Sequence, residues 1–419
     1  MREMKDSEVE WLGEIPSDWE CIPSKYLFHE QKTLRRPDDI RMTSSVKYGI
    51  ISQDEYRRIE NFNVIDATKD LDKWKHVEPN DYIISLMSFK SGIEMSEVTG
   101  CVTWHYIVLR ASKEICSNYY KWLFKSSLYC VALSRTSNFI RNGQDLRFSN
   151  FSKVPLPIPP LREQVKIADF LDVQCKRIQK LYSDIEKQIS ILEAYKKSLI
   201  TECVTKGLNQ ETELKESGIE WAPEIPSHWK VMRNKYVMKK CKEVCAVYQG
   251  EDILSLTMNG VVIRDLDAGG KMPASFNGYQ RVYPGNLLMC LFDYDVTPRC
   301  IGLIKNTGLT SPAYSQFVMK NGNKSEYYYY YYLMIDFTKE LLHLAKNLRH
   351  SFTEEQLGMI NAPVPPIEEQ VAIAKYLDQK CLEIEKIIDK KKEQLTILEE
   401  RRNSLVYEYT TGKKEVPES

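Results

Sequence analysis

Residues 157–172 read PIPPLREQVKIADFLD and residues 363–378 read PVPPIEEQVAIAKYLD, a gapless match that pairs Pro159 with Pro365, Pro160 with Pro366, Glu163 with Glu369, Gln164 with Gln370, Ala168 with Ala374 and Asp172 with Asp378. The twin prolines stop any preceding helix, because proline lacks an N–H and biases its predecessor toward extended backbone. Beyond Leu161 there is neither Pro nor Gly until Gly207. Leu171, Ile178, Ile185, Leu192 and Leu199 share one heptad stripe, with Ile167, Leu181, Ile189 and Tyr195 beside it. The second block continues to about Tyr409, with Leu377, Ile384, Leu398 and Leu405 in register, Ile388 and Leu395 flanking, and Lys391 interrupting. Each stretch predicts a helix of about 45 residues, roughly 68 Å at 1.5 Å per residue. Two stripes this narrow bury themselves most readily against each other, which predicts an intramolecular antiparallel coiled coil. Packing of each helix on its own globular segment is the alternative.

The repeat extends in both directions. SEVEWLGEIPSDWECIPSKYL (7–27) aligns without gaps to SGIEWAPEIPSHWKVMRNKYV (217–237), pairing Trp11 with Trp221, Pro16 with Pro226 and Trp19 with Trp229. SLITECVTKG (198–207) answers SLVYEYTTG (404–412). The chain therefore reads as two units, about 1–216 and 217–419, each running Trp-containing segment, large globular segment, Pro-Pro turn and long helix. Between the repeated blocks only faint echoes remain, SVKYGII (45–51) beside LTMNGVV (256–262) and EPNDYIIS (78–85) beside YPGNLLMC (283–290). A fixed frame with diverged contents suits a molecule that reads two different things with one geometry.

The globular segments read as mixed α/β. TWHYIVLR (103–110), DYIIS (81–85), GNLLMC (285–290) and CIGLIK (300–305) predict strands, and NYYKWLF (118–124) and EYYYYYYLMI (326–335) predict aromatic helices. The tyrosine run is read as a helix with one face in the core and its hydroxyls at the rim, against the alternative of a stacking platform for bases. The expected fold class is α+β: two pseudo-symmetric α/β globular domains separated by two long helices forming an antiparallel coiled coil. The expected segments are 1–158 (N-terminal segment and first globular domain), 159–207 (first long helix), 208–364 (connector and second globular domain), 365–412 (second long helix) and 413–419 (tail).

Charge and cysteine usage narrow the class. Lys plus Arg equals Asp plus Glu, 58 against 58, yet residues 20–150 hold 19 basic and 16 acidic side chains and residues 230–360 hold 16 and 12. The basic excess lies in the globular segments, as phosphate-facing surfaces require, although it is small. Eleven cysteines are scattered singly, and Cys241 and Cys245 have no matching pair at zinc-finger spacing, so reduced buried thiols are expected and a metal is not. No apolar run reaches the roughly 18 residues of a membrane span, and MREMKDSEVEW lacks a signal-peptide core, so a cytoplasmic protein is expected.

Catalytic constellations are missing from the sequence. A DNA methyltransferase would need a Gly-rich cofactor loop and an Asn/Asp-Pro-Pro-aromatic motif, whereas both Pro-Pro pairs here open helices. Asp265 and Asp267 with Lys271 are the nearest approach to a nuclease cluster but sit in a Gly-rich turn. There is no phosphate-binding loop of the motor type, and His29, His76, His105, His228, His343 and His350 lack metal-ligand spacing.

W-x-x-E-I-P-S-x-W opening each half, P-P-hydrophobic-x-E-Q heading each long helix, and the same order twice together resemble the specificity subunit of type I restriction-modification enzymes, over essentially the whole chain. The resemblance implies a non-catalytic subunit that binds a bipartite asymmetric double-stranded DNA target with a non-specific spacer. It implies assembly with two methyltransferase subunits and with restriction/translocase subunits, which would hold S-adenosylmethionine, ATP and Mg; no cofactor is expected on this chain. A structural adaptor that bridges proteins through its coiled coil, and an enzyme with a cryptic nuclease site, are the competing readings.

Base-edge readout requires Arg, Lys, Asn, Gln or short hydroxyls on exposed loops. The densest candidates are Arg135, Asn138, Arg141, Asn142, Gln144 and Arg147 in the first domain, with Lys346, Asn347, Arg349 and His350 at the aligned position of the second. Lys47, Tyr48, Ser88, Lys90, Asn259, Arg264 and Arg299 are secondary candidates, and a phosphate-only or solvated role competes at each. Trp11, Trp19, Pro159, Pro160, Glu163, Gln164 and their counterparts Trp221, Trp229, Pro365, Pro366, Glu369 and Gln370 are expected to be scaffold, with partner contact as the competing reading for the tryptophans. The exposed faces of the long helices are expected to dock the methyltransferase subunits.

Overall fold

The computed structural model describes residues 2–45, 47–60, 70–85, 92–136, 139–140, 143–144, 146–267, 273–345 and 350–418, the backbone alone at 139–140 and 143–144. The chain forms two compact units, residues 1–185 with 392–419, and residues 186–391. The boundary cuts both long helices, Leu161–Lys206 and Ile367–Thr410. Each unit thus contains the head of one helix and the tail of the other.

Among the described residues the two units share all their sheets but one, the first unit adding the pair Phe139–Ile140 and Gly143–Gln144. In the first, an antiparallel sheet runs Phe28–Gln31, Ile107–Ala111, Tyr82–Ile84, Glu94–Met95; in the second it runs Met238–Cys241, Ser315–Met319, Leu287–Met289, Ile301–Leu303, in the same order. Glu20–Pro23 pairs with Pro155–Ile158, and Lys230–Arg233 with Asn361–Val364. The faint echoes between the units fall on matched elements. The hairpin Met42–Ser45/Gly49–Ser52 corresponds to Leu254–Thr257/Gly260–Ile263, with Gly49 and Gly260 both at positive φ in the turn. Asn80 and Gly285 likewise share positive φ, ahead of Tyr82–Ile84 and Leu287–Met289.

Large rings fill each core. In the first unit Phe28 meets Tyr82, Tyr120, Phe124 and Phe151 at centroid distances of 5.4–5.8 Å, mostly edge to face. In the second, Ser325–Thr338 buries Tyr327, Tyr328, Tyr330, Tyr331 and Tyr332. Their hydroxyls do not reach a rim, as the sequence suggested. They are inside and bonded: Tyr327 Oη to the Val204 carbonyl at 2.9 Å, Tyr328 Oη to the Pro363 carbonyl at 3.0 Å, Tyr330 Oη to Asp378 at 2.7 Å and Tyr332 Oη to Asn234 Oδ1 at 2.5 Å. A buried phenol without a partner would be costly, so a run of tyrosines can be core only where an acceptor meets nearly every one.

Within each unit the helix head and tail run antiparallel. In the first, Phe170 stacks on Tyr409 at 4.5 Å and Arg402 lies near Cys175. In the second, Lys196 pairs with Glu385 and Lys391 donates to Gln188. Leu171, Ile178 and Leu199 are buried, as are Leu377 and Ile384, while Ile185, Leu192, Leu398 and Leu405 are half-buried. Lys391, which broke the stripe, is itself half-buried and sends only its ammonium outward to Gln188. Leu181 and Tyr195 face solvent rather than supporting the stripe.

Candidate nucleic-acid interface

A repeated set of polar contacts fastens each recognition domain to its helix head. The Trp19 indole N–H donates to Glu163 at 2.9 Å and the Trp229 indole N–H to Glu369 at 2.9 Å, and both rings are fully buried. Gln164 donates to the Pro159 carbonyl at 2.8 Å and accepts from the Cys116 amide at 2.9 Å. Gln370 does the same with the Pro365 carbonyl at 2.9 Å and the Lys324 amide at 2.8 Å. The amides of Gln164 and Gln370 also donate to the carbonyls of Pro160 and Pro366, opening the helices. In each motif the glutamate therefore anchors a tryptophan and the glutamine bridges the proline turn to the start of the aromatic helix.

The same domain also grips the incoming helix tail. Tyr119 Oη donates to the Thr410 carbonyl at 2.7 Å, matching Tyr327 to Val204. Trp122 Nε1 donates to Asp172 at 2.8 Å, matching Tyr330 to Asp378. Gly412 at φ +73 and Gly207 at φ +77 end the helices against Trp19 and Trp229 respectively. These left-handed caps require glycine because nearby ring atoms leave little room for a Cβ. The tyrosine anchors escaped sequence reading, although their signal was present: NYYKWLF and EYYYYYYLMI align with Tyr119/Tyr327, Tyr120/Tyr328 and Trp122/Tyr330 in register.

Trp11 is half-buried, edge-on to Tyr129 at 5.6 Å, and Trp221, also half-buried, donates to Tyr331 Oη at 2.9 Å. All eleven cysteines are free thiols. Burial pushes Cys21, Cys101, Cys130, Cys175 and Cys381 up to about 11 and Cys203 up to about 12, so at neutral pH they stay protonated and inert.

The candidate DNA-contacting residues divide into three groups. Ser88, Lys90, Asn138, Arg141, Asn142, Lys346, Asn347, Arg349 and the Gln144 side chain lie outside the described residues. Lys47, Tyr48, Arg135, Asn259 and His350 lie at the surface or half-buried with only light ties. Lys47 lies 4.8 Å over the Tyr48 ring and reaches Glu60, Arg135 pairs with Glu10 at 2.6 Å, Asn259 turns a hairpin, and His350 meets Asp295 at 2.7 Å. Exposed ion pairs of this kind contribute little to stability, so exchanging one for a phosphate costs little. Arg147 leads the short helix Phe148–Phe151 and Arg264 follows the second hairpin. Arg299 is the most engaged: it donates to the carbonyls of Met258 and Ile301 and lies 5.6 Å over the Tyr329 ring, fixing the hairpin tip to the aromatic helix. Asp265 accepts from the Asp267 amide, and among the described residues no group of acidic, His or Cys side chains could hold a metal ion. Nor is any described helix long and apolar enough to cross a membrane.

Against known proteins, the model of the type I restriction modification DNA specificity domain matches residues 16–190 and 303–396, more than half of the chain. The chain belongs to that family. The family match covers the repeated Pro-Pro-x-x-Glu-Gln heads of both helices, most of the first globular domain and the C-terminal part of the second. The chain is 27% identical over 284 residues to the type I restriction enzyme MjaVIII specificity subunit of Methanocaldococcus jannaschii, covering 63% of each. A putative type I restriction enzyme MjaX specificity subunit of the same organism is 23% identical, with 96% of this chain and 95% of that one covered. The chain therefore spans less than two-thirds of the first relative and nearly all of the second. A solved chain described under complex assembly and conformational transition of the type I R-M system shares the fold, with a TM-score of 0.70 and 12% identity over 96% of this chain and 99% of that one.

Proposed function

We propose that this chain is the non-catalytic DNA-recognition subunit of a type I restriction-modification assembly. Each unit reads one half of a bipartite asymmetric target and the long helices set the spacer between the halves. Partner methyltransferase subunits supply S-adenosylmethionine-dependent adenine methylation, and partner translocases supply ATP-driven restriction with Mg. The chain itself holds no cofactor and works in the cytoplasm on the nucleoid. The observation that carries this reading is the repetition of one frame, with the same four-stranded sheet order in both units, around two segments of unlike sequence. Identical frames give two readers one geometry, and unlike contents give them different half-sites.

The segments around 135–147 and 346–350 supply base-edge contacts, with Lys47, Tyr48, Ser88, Lys90, Asn259, Arg264 and Arg299 as further contacts to bases or phosphates. The outer faces of the long helices, where Val173, Leu181, Ile191 and Leu382 are exposed, dock the methyltransferase subunits. Genome-wide adenine methylation mapping in cells with and without the chain is the test. One bipartite motif should vanish with the chain, and an unchanged methylome would refute the reading. Inserting one heptad, about 7 residues, into each helix beside Gln188 and Lys391 should lengthen the preferred spacer by roughly 3 base pairs at 3.4 Å each. Both half-sites should stay unchanged.

A further inference from the structure

Between residues 20–31, ECIPSKYLFHEQ, and residues 230–241, KVMRNKYVMKKC, only Lys25/Lys235 and Tyr26/Tyr236 are identical. The usual pattern is inverted here. Buried positions have drifted, Ser24 to Asn234, Leu27 to Val237 and Phe28 to Met238, while the retained pair is exposed, Tyr26 at 55% and Tyr236 at 52%. In both units the lysine ammonium lies over the tyrosine ring, at 5.1 Å and 5.2 Å. Among the described residues neither lysine has an ion-pair partner and neither tyrosine hydroxyl a hydrogen bond. In the preceding stretch 7–19 the apolar identities Ile15/Ile225, Pro16/Pro226 and Trp19/Trp229 are core, while Glu10/Glu220, Glu14/Glu224 and Ser17/Ser227 are also kept at the surface. Two surface side chains with no structural work, kept in both copies while their buried neighbours changed, point to a ligand that both units meet in the same form.

That ligand cannot be the bases, because the reading segments of the two units differ. A duplex presents the same sugar–phosphate backbone to both. An ammonium beside a phenol hydroxyl suits a phosphodiester, with the charge on one oxygen and a neutral donor on another. The surroundings in the second unit agree. Lys235 lines a cavity of about 380 Å³ together with Lys239, Lys240 and Lys320, opposite Glu354 and Glu355, of which Glu354 pairs with Lys240. The position also suits a backbone contact flanking the proposed readers. Ser24 Oγ donates to the Phe151 carbonyl at 2.5 Å and Asn234 Nδ2 to the Leu357 carbonyl at 2.9 Å, tying the residue just before each pair to the short helix that follows each reading segment.

We propose that Lys25–Tyr26 and Lys235–Tyr236 are twin, sequence-independent phosphate contacts, one per unit. The inference rests on the DNA-recognition reading above. Its test uses the chain assembled with its methyltransferase partner and a labelled random-sequence duplex, titrated across salt concentrations. Each of Lys25→Gln and Lys235→Gln should lower the slope of log affinity against log salt by about 0.9, and the double variant by about 1.8. The ratio of target to random-duplex affinity should hold, Lys→Arg should restore the slope, and Tyr26→Phe with Tyr236→Phe should weaken both duplexes alike. A double Lys→Gln variant that keeps the wild-type slope overturns the proposal. If that variant instead fails to join the partner, the pair is a protein contact and the proposal is equally wrong. A wild-type assembly that binds no duplex would sink the recognition reading itself, a result distinguishable from a variant failure.

Discussion

The two units solve the same assembly problem with different neighbours around one invariant contact. In the first, Glu163 receives the Trp19 indole and is clamped by Arg2, which also reaches Asp18 at 2.7 Å. The flanking carboxylates hold the Arg2 guanidinium well above its usual range, so it is always charged. In the second, Glu369 receives Trp229 and is met by His228 at 2.6 Å. The tryptophan–glutamate contact is common to both and the second partner of the glutamate, Arg2 or His228, is not. This separates what the frame requires, a buried indole anchored to a helix head, from what each copy can vary.

Removing the shared element should have the largest effect. Trp19→Ala and Trp229→Ala should each cost about 3–5 kcal/mol, read as a lowered midpoint in chemical unfolding, and similar losses in the two units would support one frame. The glycine caps should then distinguish the units. A Cβ at Gly412 would lie 2.4 Å from the Pro16 ring, whereas at Gly207 the nearest atom is 3.3 Å away on Trp229. Both substitutions carry a left-handed-backbone cost of about 1–2 kcal/mol, so Gly412→Ala should be the more damaging, and equal losses would show that the Pro16 contact relaxes freely. Tyr119→Phe and Tyr327→Phe each remove one hydroxyl from a helix-tail carbonyl. Each should cost about 1 kcal/mol, seen as faster amide exchange at the helix ends.

Broadest is the alkaline limb. Thiols raised by burial from 9.0 to about 11 keep their protons in the folded chain while the unfolded chain loses them. That contribution to stability is therefore full below pH 9.0 and falls away as pH rises to about 11. Changing Cys175 and Cys381 to Ala should flatten the decline, and an unchanged slope would assign it elsewhere.

Much of this frame was legible because it repeats. Pro159, Pro160 and the heptads announced the helices, and Trp11 to Trp19 announced the start of each unit. The tyrosine anchors were less legible. Periodicity separates a buried face from a wet one but cannot show that Val204 or Pro363 supplies an acceptor from far along the chain. Lys391 misled for a related reason, since a long side chain can lie at a seam with its charge outside it. The reading residues were the least legible of all. Base contacts follow from loop geometry and the partner's chemistry, and Arg299 shows that an arginine in such a loop can be engaged by its own domain.

The most direct test of two readers on one frame is a chimera in which residues 28–147 replace residues 238–353, expressed with the methyltransferase partner and followed by adenine methylation mapping. The account predicts a new target whose two half-sites are both the first unit's, with the spacer unchanged. A folded chimera that still methylates the original asymmetric motif would contradict it.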